Sequence, residues 1–221
     1  NRISREDVQR KVVVSANVQG RDLRGVVTEL QENVKAGINL PQGYRVEYGG
    51  QFESEAKASQ MLLITAALAI LVIYLLLYFE FRDLKLAGIV LLNLPLALIG
   101  GILIVYFTSG IISIAATIGF ISLFGIATRN GILLISRYQD LEKEGEKGEG
   151  LILKGTLDRL NPIIMTALTT ALALIPLALK GGEPGNEIQS PMAVVILGGL
   201  LTATVLNLLV IPSVYSLIKH K

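Results

Sequence analysis

Long apolar runs with no recurring polar face make up most of the chain from about residue 58 onward. A helix needs about 20 mostly apolar residues to cross a bilayer, whereas a soluble core helix shows polar positions every three or four residues. Five runs are of the first kind: Met61–Phe79, Leu86–Phe107, Ile111–Ser136, Pro162–Leu179 and Met192–Ile218. They predict five transmembrane helices that pack into a bundle through their small residues.

The first 58 residues have a different pattern, which predicts a small α/β unit. Val12–Ala16 is a short apolar run that ends at a turn, and Leu23–Val34 has apolar residues at helical spacing. Tyr44–Tyr48 alternates as a second strand would. Two strands and one helix cannot bury a full core. We therefore expect a β-α-β half of a split subdomain whose other half lies upstream.

These patterns together predict a mostly α fold, a polytopic membrane helix bundle preceded by the β-α-β unit. We expect the α/β unit over residues 1–58 and the transmembrane domain over residues 59–221. The five helices are expected at about 59–80, 85–108, 111–137, 161–180 and 191–218. Residues 138–160 are expected to form a loop that carries a short amphipathic helix.

The basic residues predict the orientation in the membrane. Residues 137–159 carry five Lys or Arg, and further basic residues lie at 82–85 and at the C-terminus, whereas the opposite connections carry only Lys180. The positive-inside rule then places the loop 138–160 and the C-terminus in the cytoplasm, and residues 1–58 outside. No signal peptide precedes that outer segment, and the chain begins with Asn. We therefore expect the C-terminal part of a longer polypeptide.

Composition makes several functions improbable. The chain has no Cys, and its one His is His220 near the end, so a thiolate or histidine centre is not expected. It contains neither a Gly-rich phosphate loop nor a basic cluster with interleaved aromatics, which disfavours ATP and nucleic acid. Met61, Met165 and Met192 lie on different helices, where packing explains them better than metal ligation. The sequence predicts no cofactor, no metal site and no enzyme.

Arg129 is the single charged residue within the five apolar runs. Burying a charge at the bilayer centre costs at least ~2.5–3.5 kcal/mol, so Arg129 either reaches the headgroups or faces water or a partner. The runs contain no Asp or Glu, so a carboxylate partner must come from other sequence. Thr166 either bonds its own helix backbone or joins a proton-linked network with Arg129. Asn93 and Asn207 are expected to hold helices together.

Six stretches in combination carry a family resemblance: Asn17–Leu23, Leu40–Tyr44, Gly49–Glu53, Gly119–Ser136, Arg159–Ala167 and Glu187–Pro191. The chain resembles the C-terminal part of the inner-membrane subunit of a resistance-nodulation-division (RND) efflux pump, in the heavy-metal branch. The resemblance implies that residues 1–58 end a periplasmic porter region and that the five helices are the last of the pump. It also implies a homotrimer in the bacterial inner membrane, driven by proton influx and coupled to a periplasmic adaptor and an outer-membrane channel.

The resemblance further implies roles for three residues. In the drug-exporting branch a Lys pairs with acidic residues on a helix of the first half, and Arg129 matches that Lys. Thr166 matches a Thr of the same relay, and Arg159 a basic residue at the inner mouth. Arg stays protonated, so the titrating group would be the upstream carboxylate. Some copper and silver exporters carry Glu at the position of Arg129 and Lys at that of Ile163; neither is present here.

We therefore predict the C-terminal portion of a proton-driven RND transporter that exports heavy-metal cations. One alternative keeps the mechanism and changes the substrate to drugs or other amphiphiles. Another is a non-transporting membrane module, either a truncated product or an assembly partner. Met or acidic ligands in the upstream porter would favour metal, and an aromatic-lined pocket would favour drugs.

Overall fold

A computed structural model describes residues 4–6, 9–18, 23–41, 43–181, 183 and 185–219. Within those residues the chain forms two strands and seven helices: β1 (Ser4–Glu6), β2 (Gln9–Lys11), α1 (Leu23–Gly37), α2 (Gln51–Phe81), α3 (Leu84–Leu91), α4 (Asn93–Thr108), α5 (Ile114–Lys143), α6 (Gly148–Leu179) and α7 (Gln189–Lys219). The chain divides into two compact units, Asn1–Ser54 and Glu55–Lys221.

The β-α-β arrangement predicted for the first unit is wrong. β1 and β2 are consecutive and pair antiparallel, with Ser4 opposite Lys11, so they form a hairpin without a crossover helix. The predicted strands Val12–Ala16 and Tyr44–Tyr48 are not strands, although α1 forms between them. Val12 and Val14 are more than 90% exposed. Their side chains have no surface to pack against among the described residues. A β-branched residue forms a strand only when its side chain packs on a neighbouring strand or layer, so the propensity alone is not sufficient.

The described residues contain five helices that are long and apolar enough to cross a membrane: Phe52–Phe81, Leu84–Thr108, Ile114–Lys143, Gly148–Leu179 and Gln189–Lys219. The second of these joins α3 and α4, which are separated by a break at Leu92. Pro95 explains the break, because proline has no N–H for the Leu91 carbonyl and its ring clashes with the preceding turn. Between α5 and α6 only residues 144–147 are non-helical.

Helix α7 is the centre of the bundle and packs against α4, α5 and α6. Glycines bring it close to α4: a Cβ built on Gly198 would lie 2.7 Å from Cβ of Ile104 and 2.8 Å from the carbonyl oxygen of Gly100. In contrast, only 6% of the apolar window is buried in α2 and in α6, against 50% in α5 and in α7. Two helices therefore leave most of their surface to lipid or to other polypeptide.

Candidate intramembrane coupling site

Arg129 lies in the middle of α5 and is exposed, whereas its neighbours Thr128 and Asn130 are 5% and 3% exposed. Successive residues of a helix point in directions about 100° apart, so the side of α5 that carries Arg129 differs from the side covered by α4 and α7. Across the described part of the chain, the Arg129 guanidinium forms no hydrogen bond or ion pair. A fixed cation therefore lies on an uncovered side of a membrane helix.

The surrounding surface is small and polar. Ser122 and Gly125 precede Arg129 by seven and four residues, so all three share one face of α5, and all three are exposed. A Cβ built on Gly125 would meet nothing within 4 Å. We call Ser122, Gly125 and Arg129 the open face of α5. A face with a hydroxyl, a glycine and a cation suits close contact with another helix better than contact with lipid tails.

Thr166 makes the local hydrogen bond that threonine often makes in a helix. Its hydroxyl donates to the carbonyl oxygen of Ile163 at 3.0 Å. The hydroxyl of Thr170 in turn donates to the Thr166 carbonyl oxygen at 2.8 Å. The single hydroxyl proton of Thr166 is thus engaged, and its oxygen still has lone pairs that can accept a hydrogen bond.

The packing of α5 against α6 sets the depth of Thr166 relative to Arg129. At one end of the contact Tyr138 is hydrogen-bonded to Thr156, and further along Ala167 packs against the cluster that contains Ala127. Thr166 and Arg129 lie within two residues of that second contact. The two residues therefore occupy similar levels of neighbouring helices, but no hydrogen bond joins them in the structure.

Arg159 lies nearer the beginning of α6 and is partly buried. Its Nε atom is buried and has no hydrogen-bond partner among the described residues. The adjacent carboxylate of Asp158 is already occupied, because Nη2 of Arg137 lies 2.7 Å from its Oδ2. Arg159 and Arg129 are thus two cations of neighbouring helices without a carboxylate partner in the described chain, and the structure does not bring them together.

A polar cluster that no sequence pattern indicated joins the end of α5 to the end of α7. The Tyr215 hydroxyl donates to Oε1 of Glu142 at 3.2 Å, and the Lys219 ammonium pairs with the same carboxylate oxygen. The rings of Tyr138 and Tyr215 pack with their centroids 4.8 Å apart. The sequence shows charged residues of both signs near residue 142 and basic residues at the C-terminus, but it does not show which of them form ion pairs.

No group of three or more His, Asp or Glu that could hold a metal ion occurs among the residues that the structure describes. Met61 and Met165 are 72% and 66% exposed and lie on different helices, α2 and α6. A soft-metal site of clustered thioethers is therefore not formed by these two side chains.

The fold and the site define a class of protein. The chain is a multi-pass membrane protein segment in which a cation in the middle of one helix is part of an exposed face suited to contact with further polypeptide. Proteins of this class use intramembrane charges in ion and substrate pathways. Comparison with known proteins gives the family.

The AcrB/AcrD/AcrF family matches residues 1–219, and the chain belongs to that family. It is 38% identical over 221 residues, all of this chain, to the cobalt-zinc-cadmium resistance protein CzcA of Cupriavidus metallidurans, covering 21% of that protein. It is 40% identical over 216 residues, 97% of this chain, to protein HelA of Legionella pneumophila, covering 20% of that protein.

An X-ray crystal structure of a heavy metal efflux pump matches 93% of this chain and 20% of the pump chain, with a TM-score of 0.81 and 32% identity. The resemblance to the heavy-metal branch of the RND pumps is thereby confirmed, and with it a multi-pass location in the bacterial inner membrane. The chain spans about a fifth of the length of the relatives that it matches.

Proposed function

We propose that the chain is the C-terminal portion of a proton-driven RND efflux transporter that exports heavy-metal cations, with Arg129 in its proton-coupling network. The observation that carries the proposal is the exposed Arg129 on the open face of α5, without a partner in the described chain. A cation at this depth normally pairs with an acidic group. Because the five apolar runs contain no Asp or Glu, the partner is a carboxylate on a membrane helix of the missing N-terminal part.

The proposed coupling is electrostatic. An ionised carboxylate about 4 Å from Arg129 is attracted by about 4 kcal/mol at an effective dielectric constant of 20. Protonation of the carboxylate removes that attraction, while Arg129 itself stays charged. Loss of about 4 kcal/mol changes the equilibrium constant between two helix arrangements by about 1,000-fold, which reverses a moderate preference for one of them. Proton entry would thus be converted into a movement of α5.

Thr166 and Arg159 have supporting roles in the proposal. The oxygen of Thr166, at the level of Arg129, accepts a hydrogen bond from the guanidinium when the carboxylate is protonated. Arg159, which lies on the cytoplasmic side of Thr166, contributes a positive potential that favours release of the proton from the carboxylate. The orientation rests on the basic connections: residues 1–58 lie in the periplasm, and the α5–α6 connection and the C-terminus lie in the cytoplasm.

Heavy-metal cations are the proposed substrate because the relatives above are named for cobalt, zinc and cadmium resistance and for heavy metal efflux. As partners we propose the N-terminal part of the same pump, two further copies in a homotrimer, a periplasmic adaptor and an outer-membrane channel. Residues 1–58 then belong to the periplasmic porter region and residues 59–221 to the membrane domain.

Metal tolerance of a sensitive bacterial host tests the proposal. The complete protein that contains this chain is expressed as wild type, as Arg129→Ala and as Lys143→Ala. Lys143 is the matched control, because it lies at the end of the same helix, exposed and 3.5 Å from Asp140. We expect tolerance to cobalt, zinc or cadmium with wild type and Lys143→Ala, and its loss with Arg129→Ala at equal membrane abundance.

Each other result has a defined meaning. Tolerance retained by Arg129→Ala would refute the role of Arg129. Tolerance to amphiphilic dyes but not to metals would contradict the proposed metal substrate without contradicting the proposed coupling through Arg129. The size of the native product, detected with an antibody against the C-terminal tail, tests the remaining alternative: a band several times larger than 23.8 kDa supports a pump, and a single band near 23.8 kDa supports a non-transporting module.

A further inference from the structure

Three helices of the bundle each place one asparagine in the interior. Asn93 at the start of α4, Asn130 in α5 and Asn207 in α7 are 1%, 3% and 1% exposed. The surrounding chain itself covers them, so they are removed from both water and lipid. Buried amides in such surroundings need hydrogen-bond partners, because the free energy of desolvation is otherwise not recovered.

The three asparagines lie at one depth of the bundle. Along the chain, each asparagine lies between residues of two apolar clusters. One cluster contains Ala97 of α4, Ala127 of α5 and Ala203 of α7, and the other contains Val90 of α3, Leu134 of α5 and Ile211 of α7. Asn93, Asn130 and Asn207 therefore form a polar layer between two apolar ones, which we call the asparagine layer.

Two members of the asparagine layer have unused hydrogen-bonding groups. Nδ2 and Oδ1 of Asn93, and the same two atoms of Asn207, have no hydrogen-bond partner in the described part of the chain. A buried polar group left without a partner costs about 1–3 kcal/mol. Four such atoms in one layer would be a large penalty, so the site calls for a small polar ligand that both donates and accepts.

We propose that Asn93 and Asn207 bind a buried water molecule. Water donates to amide oxygens and accepts from amide N–H groups, and buried waters typically make about three hydrogen bonds. A metal cation does not fit, because the layer supplies neutral amides and no carboxylate. The Leu91 carbonyl is a further acceptor close in sequence to Asn93, since Pro95 cannot donate to it.

Gly131 of α5 makes room for this arrangement. A Cβ built on Gly131 would collide with Nδ2 of Asn93 and would lie 3.1 Å from Cγ1 of Val90. Glycine at this position lets the Asn93 amide reach the interior beside α5. The asparagine layer lies on the buried side of α5, whereas Arg129 lies on the exposed side. The water site is therefore distinct from the proposed coupling site.

Radiolytic hydroxyl labelling with mass spectrometry tests the proposal on the intact membrane protein. X-rays split water where it is bound, and the hydroxyl radical oxidises side chains next to it. We expect oxidation of Val90 and Ile211, which flank the asparagine layer. Val105 and Val195 are the matched controls, because they are also buried but belong to a separate apolar cluster. They should stay unlabelled.

Single substitutions Asn93→Leu and Asn207→Leu should each reduce the labelling of Val90 and Ile211 to the level of the controls. A variant whose bundle has opened would label Val105 and Val195 as well, which identifies misfolding directly. Absence of labelling at Val90 and Ile211 in the wild type would overturn the proposal and favour a direct bond between the two amides. Labelling that persists in both folded variants would overturn it too.

Discussion

The hydroxyl oxygens of Tyr138 and Thr156 lie 2.6 Å apart and join α5 to α6 by a hydrogen bond. The hydroxyl of Thr156 also donates to the carbonyl oxygen of Ile152 at 2.8 Å. Since that uses its only proton, Tyr138 is the donor to Thr156. This bond fixes how far α6 is displaced along α5, and so the level of Thr166 relative to Arg129.

Replacing Gly155 by Ala should destabilise the α5–α6 pair. A Cβ built on Gly155 would lie 2.6 Å from Cδ1 of the Tyr138 ring, which is fully buried. Overpacking of this kind costs about 1–3 kcal/mol. Thermal unfolding of the purified protein should therefore begin at a lower temperature.

Gly150→Ala is the matched control in the same helix. A Cβ built on Gly150 would meet nothing within 4 Å, and alanine favours the helix by up to about 1 kcal/mol over glycine. Its unfolding temperature should be unchanged or slightly higher. Equal melting of the two variants would contradict the packing described for Tyr138.

Tyr138→Phe should lower the free energy of unfolding by about 1 kcal/mol, the usual net worth of one hydrogen bond. The loss is limited because the ring remains and Thr156 keeps its bond to Ile152. Tyr106→Phe serves as the comparison, since Tyr106 is 75% exposed. Chemical denaturation in mild detergent should give a lower free energy of unfolding for Tyr138→Phe than for Tyr106→Phe. An equal loss of stability in both variants would contradict the Tyr138–Thr156 hydrogen bond.

Gly198→Ala should push α4 and α7 apart. Its new methyl group would meet the backbone oxygen of Gly100 at 2.8 Å, and a backbone atom cannot rotate away as a side chain can. We expect a loss of about 1–3 kcal/mol. Gly88→Ala on α3, where a Cβ meets nothing within 4 Å, should have little effect. The rate of proteolysis of the membrane-embedded protein can be compared between the two variants. Equal rates for Gly198→Ala and Gly88→Ala would contradict the close α4–α7 contact.

The apolar helices could be predicted because a run of about 20 apolar residues has few other stable conformations. The positions where these helices end, beyond their apolar runs, could not be predicted. Charged residues extend a helix when they form ion pairs with residues of a neighbouring helix, and the sequence does not show which residues pair. Arg137 of α5 and Asp158 of α6 are such partners. The β-α-β prediction was wrong because the apolar run beginning at Val12 has strand propensity but no described strand to pair with.

For the candidate site, Arg129 could be picked out from the sequence as a lone charge in an apolar run. The exposure of Arg129 could not be predicted, because the tertiary packing determines which side of α5 is covered by α4 and α7. The surroundings of Asn93 and Asn207 could not be predicted either: both were expected to hold helices together, and their amide atoms have no hydrogen-bond partner among the described residues. Ion pairs such as the one between Glu142 and Lys219 join residues far apart in the sequence, so neither composition nor local spacing predicts them.

Metal-driven proton flux tests the central claim most directly. The complete pump is reconstituted into vesicles that contain a pH-sensitive dye, and proton movement is followed after a metal salt is added. We predict flux with wild type and Lys143→Ala, reduced flux with Arg129→Lys, which keeps the charge, and none above background with Arg129→Ala. Wild-type flux from Arg129→Ala would contradict the claim that this cation couples protons to transport.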